Sequence, residues 1–291
     1  QVNKMLDDER ISAVSFVGST DVARQIYTNS TKNGKRCQAL GGAKNHALVL
    51  SDAKISQAID QLISAAFGSS GQRCMALSVV MVEKKIKQPF MDNLITKVKS
   101  LKVGFQKLES NSYGPLVSDD HLNNVQNYIK LAEEEGSKII LDGREINDRR
   151  NNDKKGYFLG PTLIDSVKPN MKSYLNEIFG PVLQIIEIDD VEEGIQIINK
   201  NSFGNGCCIF TENGNNAREF SEKVDIGMVG VNIPLPVPSS FHSFGGWKNS
   251  LFGDLNIYGP DGLRFYTRRK TITQRWFGSN DVSEINLSMP S

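Results

Sequence analysis

The sequence lacks several features that would assign it to particular protein classes. No apolar run approaches the ~20 residues that span a bilayer, so we expect no membrane-spanning helix and no membrane partner. The net charge of +1 gives no excess of positive charge for nucleic acid, which we exclude as a partner. We find no signal peptide. Because the first residue is Gln1 rather than Met, we expect a processed product or part of a longer polypeptide.

Cysteine and histidine are scarce. Four cysteines among 291 residues do not make a disulfide framework and are typical of a reducing compartment. The adjacent pair Cys207 and Cys208 has the wrong spacing for zinc and lies in an apolar strand pattern, which predicts burial. The three histidines form no i, i+4 pair and no HExxH motif. We therefore expect no metal site.

The chain does contain enough apolar residues for a sizeable core. Hydrophobic residues make up 39% of it, and 291 residues suffice for two ordinary domains or one large α/β domain. Strand-like and helix-like segments alternate, which predicts an α/β fold with a mostly parallel sheet. The predicted strands are Ala13–Gly18, His46–Leu50, Leu77–Val82, Lys138–Leu141, Thr162–Asp165, Leu183–Ile188, Gly206–Phe210 and Met228–Val231.

Helical patterns intervene between these strands, and two further segments have their own character. The predicted helices follow Ser19 or Thr20, cover Ile55–Ala66, begin near Gln88, run from Ser118 to Gly136, and cover Val191–Asn199 and Asn216–Val224. Residues 143–156 are polar and charged, which indicates a solvated loop. The alternating tail Leu263–Trp276 predicts an exposed or pairing strand.

The stretch Gly71-Gln72-Arg73-Cys74 is the strongest chemical signal. It follows a Gly-Ser-Ser-Gly run, and glycine permits turns and close ligand approach that a Cβ would block. A cysteine presented there beside Arg73 is placed where a thiolate can be stabilised and reached. The alternative is a buried structural cysteine. The sequence alone leaves both open.

An ordered set of motifs resembles the aldehyde dehydrogenase superfamily, and within it the CoA-acylating methylmalonate-semialdehyde dehydrogenases. The motifs are SFVGST (15–20), GAKNH (42–46), AAFGSSGQRCMALS (65–78), GPLVS (114–118), GPT (160–162), NEIFGPVL (176–183) and FGGWKNSLFGD (244–254). The resemblance covers nearly the whole chain and is to the C-terminal portion of a complete member. It implies an aldehyde-dehydrogenase-like catalytic domain plus the end of a Rossmann-like cofactor domain.

The resemblance also implies a division of the chain. Residues 1–40 correspond to the end of the NAD-binding domain, and residues 41–235 to the catalytic domain. Residues 236–291 correspond to a return to the cofactor domain followed by an oligomerisation strand. Most of the cofactor domain, with the asparagine that helps to stabilise the oxyanion, precedes the segment that this chain resembles. We therefore expect a homo-oligomer, or a partner chain or N-terminal extension, to cover the strand at Ala13–Val17.

Roles for individual residues follow from the matching motifs. Cys74 matches the nucleophile, whose thioester forms after hydride passes to NAD. Glu177 and Phe179 match contacts to the nicotinamide ribose and the nicotinamide. Gly18 and Ser19 match the turn near the cofactor pyrophosphate.

Some matches are weaker or leave alternatives. Ala23 stands where the family more often has glycine, which weakens the pyrophosphate assignment. Phe244 matches an aromatic residue of the substrate tunnel. Arg73 is a candidate for binding a substrate carboxylate bidentately. Its alternatives are to lower the pKa of Cys74 or to pair with a neighbouring acid.

One departure from the larger superfamily concerns the acyl acceptor. Hydrolytic members carry a glutamate that activates water, whereas here both possible alignments place an apolar residue, Ala39 or Leu40. Without a positioned base water is a poor nucleophile, while a thiol already has some thiolate at neutral pH. The resemblance thus implies transfer to coenzyme A, giving propionyl-CoA or acetyl-CoA and CO2 from methylmalonate or malonate semialdehyde.

Two functions of different classes stay open at this point. The first is a CoA-acylating, NAD-dependent semialdehyde dehydrogenase, for which the resemblance implies the mitochondrial matrix in eukaryotes and valine catabolism. The second is a catalytically inactive structural or assembly subunit derived from such an enzyme. The retained Cys74, Glu177 and Phe179 favour the enzyme.

Overall fold

The computed structural model describes residues 2–105, 111–144 and 156–276. In chain order, its strands are β1 (Ala13–Val17), β2 (Arg36–Leu40), β3 (Asn45–Val49), β4 (Leu77–Glu83), β5 (Lys138–Leu141), β6 (Thr162–Asp165), β7 (Val182–Ile188), β8 (Phe203–Gly204), β9 (Gly206–Phe210), β10 (Met228–Val231), β11 (Trp247–Lys248) and β12 (Leu251–Phe252). Its α-helices are α1 (Val2–Asp7), α2 (Thr20–Lys32), α3 (Ile55–Phe67), α4 (Lys87–Lys99), α5 (Asp119–Glu134), α6 (Lys172–Leu175), α7 (Val191–Lys200), α8 (Gly214–Lys223) and α9 (Gly259–Tyr266).

Seven strands form the large sheet, in the order β10-β9-β3-β4-β7-β6-β5. All neighbours pair in parallel except β5 and β6, which are antiparallel. Every residue of β3 and β9 is buried, as expected for central parallel strands that are covered on both faces. Helices α3 and α4 pack on one face, and α5, α7 and α8 on the other, so two apolar cores sandwich the sheet.

A small sheet has the order β1-β2-β12, with β1 and β2 parallel and β12 antiparallel to β2. Helix α2 packs on it through Ala23 and Ile26, which contact a core that contains Cys37 and Ala39. Strand β1 is an edge in the described residues, and Val17 is 60% exposed. The small sheet therefore joins residues 13–40 with residues 251–252.

The division of the chain into a cofactor-domain part, a catalytic domain and a C-terminal part, at residues 40 and 235, stays a prediction.

The α/β class and the mostly parallel sheet are confirmed, and apart from the tail each predicted strand and helix is present within a few residues. The sequence reading missed β2, whose polar Arg36 and Gln38 interrupt the apolar pattern of a buried strand. It also missed α1, α6 and the two-residue strands β8, β11 and β12. Of the polar loop predicted at 143–156, residues 145–155 lie outside the described ranges.

The strand predicted for the tail Leu263–Trp276 is wrong for residues 263–266, and the oligomerisation strand that the resemblance implies for 236–291 stays a prediction. Residues 263–266 belong to α9, which starts with Pro260 in its first turn, where the missing N–H costs little. The guanidinium of Arg36 donates to the carbonyl oxygens of Arg264 (2.9 Å) and Thr267 (2.7 Å), which satisfies the end of this helix. Residues 267–276 form no strand because none of the described strands pairs with them.

Across 2–105, 111–144 and 156–276, none of the helices combines the length and the apolarity needed to cross a bilayer.

Candidate active site around Cys74

The loop before Cys74 is a left-handed turn. Ser69, Ser70 and Gly71 have φ angles of +54°, +58° and +68°. For a residue with a Cβ this conformation costs roughly 1–2 kcal/mol, so two consecutive serines there need support from their surroundings. Buried Ser70 receives it by donating its hydroxyl to the Gly114 carbonyl oxygen at 2.7 Å.

The GPLVS segment also fixes Gln72. The side-chain oxygen of Gln72 accepts from the Val117 N–H at 3.0 Å, and its nitrogen donates to the Pro115 carbonyl at 3.4 Å. On the other side, Gly71 packs against Gly180, whose carbonyl oxygen lies 2.2 Å from where a Cβ would be. Three of the motifs found in the sequence therefore meet around the cysteine loop.

Cys74 is exposed, whereas Cys37, Cys207 and Cys208 are buried. The buried-cysteine alternative for Cys74 is therefore wrong, and the predicted burial of Cys207 and Cys208 is confirmed. Partial burial raises the pKa of the Cys74 thiol. The N–H groups of Cys74 and Met75 oppose this rise by hydrogen bonding to the sulfur, and the charge of Glu177 adds to it.

Arg73 does not stabilise the thiolate as its position in the sequence suggested. It is not among the groups that shift the pKa of Cys74, which is raised rather than lowered. The Arg73 Nε donates to the Ser69 hydroxyl at 2.9 Å. Within the described ranges the guanidinium of this exposed residue forms no ion pair, so the alternative of a neighbouring acid finds no support there. Its terminal nitrogens remain available for an incoming carboxylate.

Glu177 reaches the same region from the segment before β7. Its Oε1 accepts from the Ala43 N–H at 2.8 Å, and its Oε2 lies 2.5 Å from the position that a Cβ of Gly42 would occupy. Glycine at 42 is therefore what allows the carboxylate to lie against this backbone. Burial raises the pKa of Glu177, while the Ala43 N–H and the positive charge of Lys44 lower it.

Lys44 is a buried lysine beside this carboxylate. Its Nζ donates to the carbonyl oxygens of Ser173 (3.0 Å) and Asn176 (2.8 Å), which fixes the chain directly before Glu177. Burial lowers the pKa of Lys44 to about 7, against the opposing effect of Glu177.

Lys44 predicts a specific pH dependence of stability. Between about pH 7 and the ordinary lysine pKa of 10.5, the unfolded chain holds a proton at Lys44 that the folded chain has released. The free energy of unfolding therefore rises with pH, by up to about 1.4 kcal/mol per pH unit. Urea titrations at pH 7–9 of the wild type and Lys44→Met should diverge with this sign. Equal slopes for the two proteins would contradict it.

His121 is a site residue that the sequence reading set aside. It lies in the first turn of α5, where Ser118 caps the helix by accepting from the His121 N–H. Its Nε2 donates to the Phe179 carbonyl oxygen at 2.8 Å. Phe179 has a φ of +58°, so this bond helps to hold a strained backbone. A histidine three residues after a cap serine gives no sequence signal for such a contact.

One cavity of about 380 Å³ joins these parts. Cys74, Gly18, Ser19, Glu177 and Phe179 all line it, and so do further residues, among them Gly41, Gly42 and His121. The structure therefore brings the predicted nucleophile and all four predicted cofactor contacts together. The cavity lies where the carboxyl ends of β1 and β2 face the amino ends of β4 and β7.

The two predicted substrate residues are placed differently from each other. Arg73 lines a narrow pocket with Cys74 and Glu177. Phe244 lines neither that pocket nor the larger cavity, and its ring lies 5.3 Å from the ring of Tyr258. The role of Phe244 stays a prediction without support from this geometry.

Neither candidate position for a water-activating base lines the cavity. Ala39 is fully buried in the core under α2. Leu40 follows it on β2 and pairs with Val17 and Leu251. In the described residues, no group of three or more histidine, cysteine, aspartate or glutamate side chains is arranged to hold a metal ion.

The sequence profile described as the Aldehyde dehydrogenase family matches residues 1–272. The malonate-semialdehyde dehydrogenase of Pseudomonas aeruginosa is 49% identical over 278 residues, which are 94% of this chain and 55% of that protein. The malonate-semialdehyde dehydrogenase of Bacillus cereus is 47% identical over 95% of this chain and 56% of that protein.

Solved structures agree with the sequence matches. A methylmalonate-semialdehyde dehydrogenase from Oceanimonas doudoroffii superposes with a TM-score of 0.92 at 50% identity, over 96% of this chain and 57% of that one. A structure from Sinorhizobium meliloti, complexed with NAD, gives a TM-score of 0.90 at 43% identity over the same shares. The chain thus spans little more than half the length of these relatives.

Proposed function

The chain belongs to the aldehyde dehydrogenase family, and we propose that the protein containing it oxidises malonate or methylmalonate semialdehyde with NAD and transfers the acyl group to coenzyme A. The single observation that carries the proposal is the shared cavity, in which the exposed thiol of Cys74 lies with Glu177 and Phe179. The names of the relatives at 47–50% identity support the semialdehyde substrate.

Cys74 is the proposed nucleophile. Its thiolate attacks the aldehyde carbon to give a thiohemiacetal, whose oxyanion is stabilised by the Cys74 backbone N–H. Loss of hydride from that carbon leaves a thioester on Cys74. Because burial raises the pKa of this thiol, a base must accept its proton at neutral pH. Because Cys74 is exposed, this proton passes to solvent in the cavity.

The residues around the cavity fit the nicotinamide end of NAD. In the described part of the chain only Oε1 of Glu177 is bonded, to Ala43, so Oε2 is available to a ribose hydroxyl. The 38% exposed ring of Phe179 offers an aromatic face to a planar group. Gly18 and Ser19 add the start of α2, where backbone N–H groups attract an anion. When bound, NAD supplies the hydride acceptor.

Arg73 is the proposed partner of the substrate carboxylate. Malonate-type semialdehydes carry a carboxylate one carbon away from the reacting carbonyl, and an arginine fork binds such a group with two parallel hydrogen bonds. The free terminal nitrogens of Arg73 beside Cys74 provide that geometry. After oxidation this carboxylate leaves as CO2 and a proton replaces it, which gives the acetyl or propionyl group.

Coenzyme A is the proposed acyl acceptor because the described cavity has no base at Ala39 or Leu40 to activate water. The thiol of coenzyme A attacks the thioester carbon, and the Cys74 thiol leaves. Thiols do this readily at neutral pH, whereas water needs a positioned base.

Leu40→Glu tests this choice of acceptor. A carboxylate introduced beside Gly41, which lines the cavity, is expected to raise NADH-forming turnover without coenzyme A by roughly tenfold or more, because general bases contribute about 10²–10⁴-fold. The measurement is steady-state absorbance at 340 nm in buffer that contains NAD and the semialdehyde but no coenzyme A. Leu40→Gln, of the same size but without a base, is the matched control. A folded Leu40→Glu variant that gains nothing would refute the account.

The function itself is tested by omitting each component in turn. The protein in its natural length, with NAD, coenzyme A and either semialdehyde, should give NADH and acyl-CoA in equal amounts. Neither product should form without NAD. A protein that binds NAD yet forms no NADH from either semialdehyde would support the alternative, an inactive structural subunit. We also propose a homo-oligomer and, in a eukaryote, the mitochondrial matrix, both on the family resemblance.

A further inference from the structure

Two asparagine side chains hydrogen-bond to the peptide group that joins Cys74 and Met75. The Nδ2 of Asn45 donates to the Cys74 carbonyl oxygen at 3.0 Å, and the Nδ2 of Asn205 donates to the same oxygen at 2.9 Å. Asn45 is the first residue of β3, and Asn205 directly precedes β9, the neighbouring strand. The two amides therefore approach this oxygen from the ends of adjacent, fully buried strands.

Both asparagines are themselves fixed. Asn45 is 3% exposed, and its second Nδ2 hydrogen bond goes to the Ala76 carbonyl at 2.9 Å, while its Oδ1 accepts from the Gly206 N–H at 3.0 Å. Asn205 is 6% exposed, and its Nδ2 also contacts the Met75 sulfur at 3.1 Å. Side chains with this many partners have one orientation, and they impose it on the peptide that they hold.

The orientation of that peptide determines what reaches the sulfur. In a trans peptide the C=O and the following N–H point in opposite directions. With the Cys74 oxygen turned toward the two amides, the Met75 N–H points away from them. The N–H groups of Met75 and Cys74 are the two backbone groups that lower the pKa of the Cys74 thiol. These two N–H groups are the donors that favour the thiolate against the cost of its burial.

We propose that Asn45 and Asn205 are positioning residues, which orient the Cys74–Met75 peptide so that its N–H stabilises the thiolate. The inference rests on the proposed role of Cys74 as nucleophile, but it concerns the ionisation of the thiol rather than the identity of the substrate. Both residues act through the Cys74 carbonyl oxygen, to which each donates a hydrogen bond, and Asn45 also lines the narrow pocket beside Cys74. The charged or titratable groups that face Cys74 from other segments are Glu177, Lys44 and His121, with Arg73 adjacent in the chain. All of these stay unchanged in the variants below.

The test is the pH dependence of Cys74 alkylation in the protein of natural length. Iodoacetamide reacts with thiolates, and mass spectrometry of the peptide that contains Cys74 separates this residue from the other three cysteines. Asn205→Leu keeps the side-chain volume but removes the donor. We expect its alkylation midpoint to rise by about one pH unit, which makes alkylation at pH 7 about tenfold slower than in the wild type. Asn45→Ser, which shortens the reach of the donor, should shift the midpoint in the same direction.

Asn201→Leu is the matched control. Asn201 is a buried asparagine four residues before Asn205, and its Oδ1 accepts from the Phe203 N–H rather than touching the Cys74 loop. It should lose stability without moving the alkylation midpoint. If thermal melts show that Asn205→Leu does not fold, Asn205→Ala replaces it with the same expectation.

The outcomes separate this inference from the proposed function. An unchanged midpoint in folded Asn205 and Asn45 variants, or an equal shift in Asn201→Leu, would overturn the positioning role even if the wild type forms acyl-CoA. A shifted midpoint in a protein that oxidises no semialdehyde would support the positioning role and remove the proposed function.

Discussion

Cys74→Ala is expected to lower semialdehyde-dependent NADH formation by roughly four orders of magnitude or more, as removal of a covalent nucleophile does elsewhere. Alanine has no electron pair to attack the aldehyde carbon, so no thiohemiacetal forms and no hydride is released. The variant should fold normally, because the side chain is exposed and its loop is held by Ser70 and Gln72. The measurement is the initial rate at 340 nm with saturating NAD and coenzyme A.

Cys37→Ala is the control for this variant. It also removes one thiol, but from the core under α2, where Cys37 is buried and lines neither cavity at Cys74. Its rate should stay within about twofold of the wild type, with a modest loss of stability from the small cavity. Residual turnover above a tenth of the wild-type rate in Cys74→Ala would mean that another group is the nucleophile.

Gly71→Ala is expected to have the largest effect on stability and to abolish the site with it. The added Cβ would lie 2.2 Å from the Gly180 carbonyl oxygen and 3.1 Å from that of Ala66. Both are backbone atoms, one in the loop that follows Glu177 and the other in helix α3, so neither can turn aside. The left-handed conformation adds about 1–2 kcal/mol, and the overpacking about 1–3 kcal/mol, to a total loss of about 2–5 kcal/mol.

Gly34→Ala measures the conformational part of this loss alone, so the difference between the two variants gives the steric part. Gly34 has the same φ of +68°, but an added Cβ there meets nothing within 4 Å. It should cost only the conformational penalty, about 1–2 kcal/mol, and leave activity unchanged. Urea unfolding of both variants gives the comparison. Equal losses in the two would mean that the loops around Cys74 and Phe179 separate without cost, contrary to the packing described here.

The sequence was sufficient for those parts of the fold that depend on local pattern. Runs such as Leu77–Val82 and Gly206–Phe210 are apolar apart from Ser78 because they are covered on both faces, and they predict buried parallel strands directly. The tail was misread for a related reason. Its alternation of β-branched and charged residues is a strand pattern, but a strand also needs a neighbour, and the described residues offer it none.

The candidate site was predictable only where motif and geometry coincide. The motifs around Cys74, Glu177 and Gly18 pointed to residues that the structure brings to one cavity. The left-handed serines were not predictable, because serine rarely takes this conformation and only the contacts of Ser70 and Gly71 support it. The direction of the Cys74 pKa shift was not predictable either. It depends on burial and on the charge of Glu177, which is distant from Cys74 in the chain.

The cavity draws on segments that are far apart in the chain, from Gly18 to Phe179, and closes only where two sheets face each other. Such non-local contacts give a high contact order, and chain segments of this kind associate slowly during refolding. The environment of Cys74 should therefore be one of the last to mature after dilution from denaturant. The thiol reports on completion of the tertiary structure more faithfully than the recovery of helix content does.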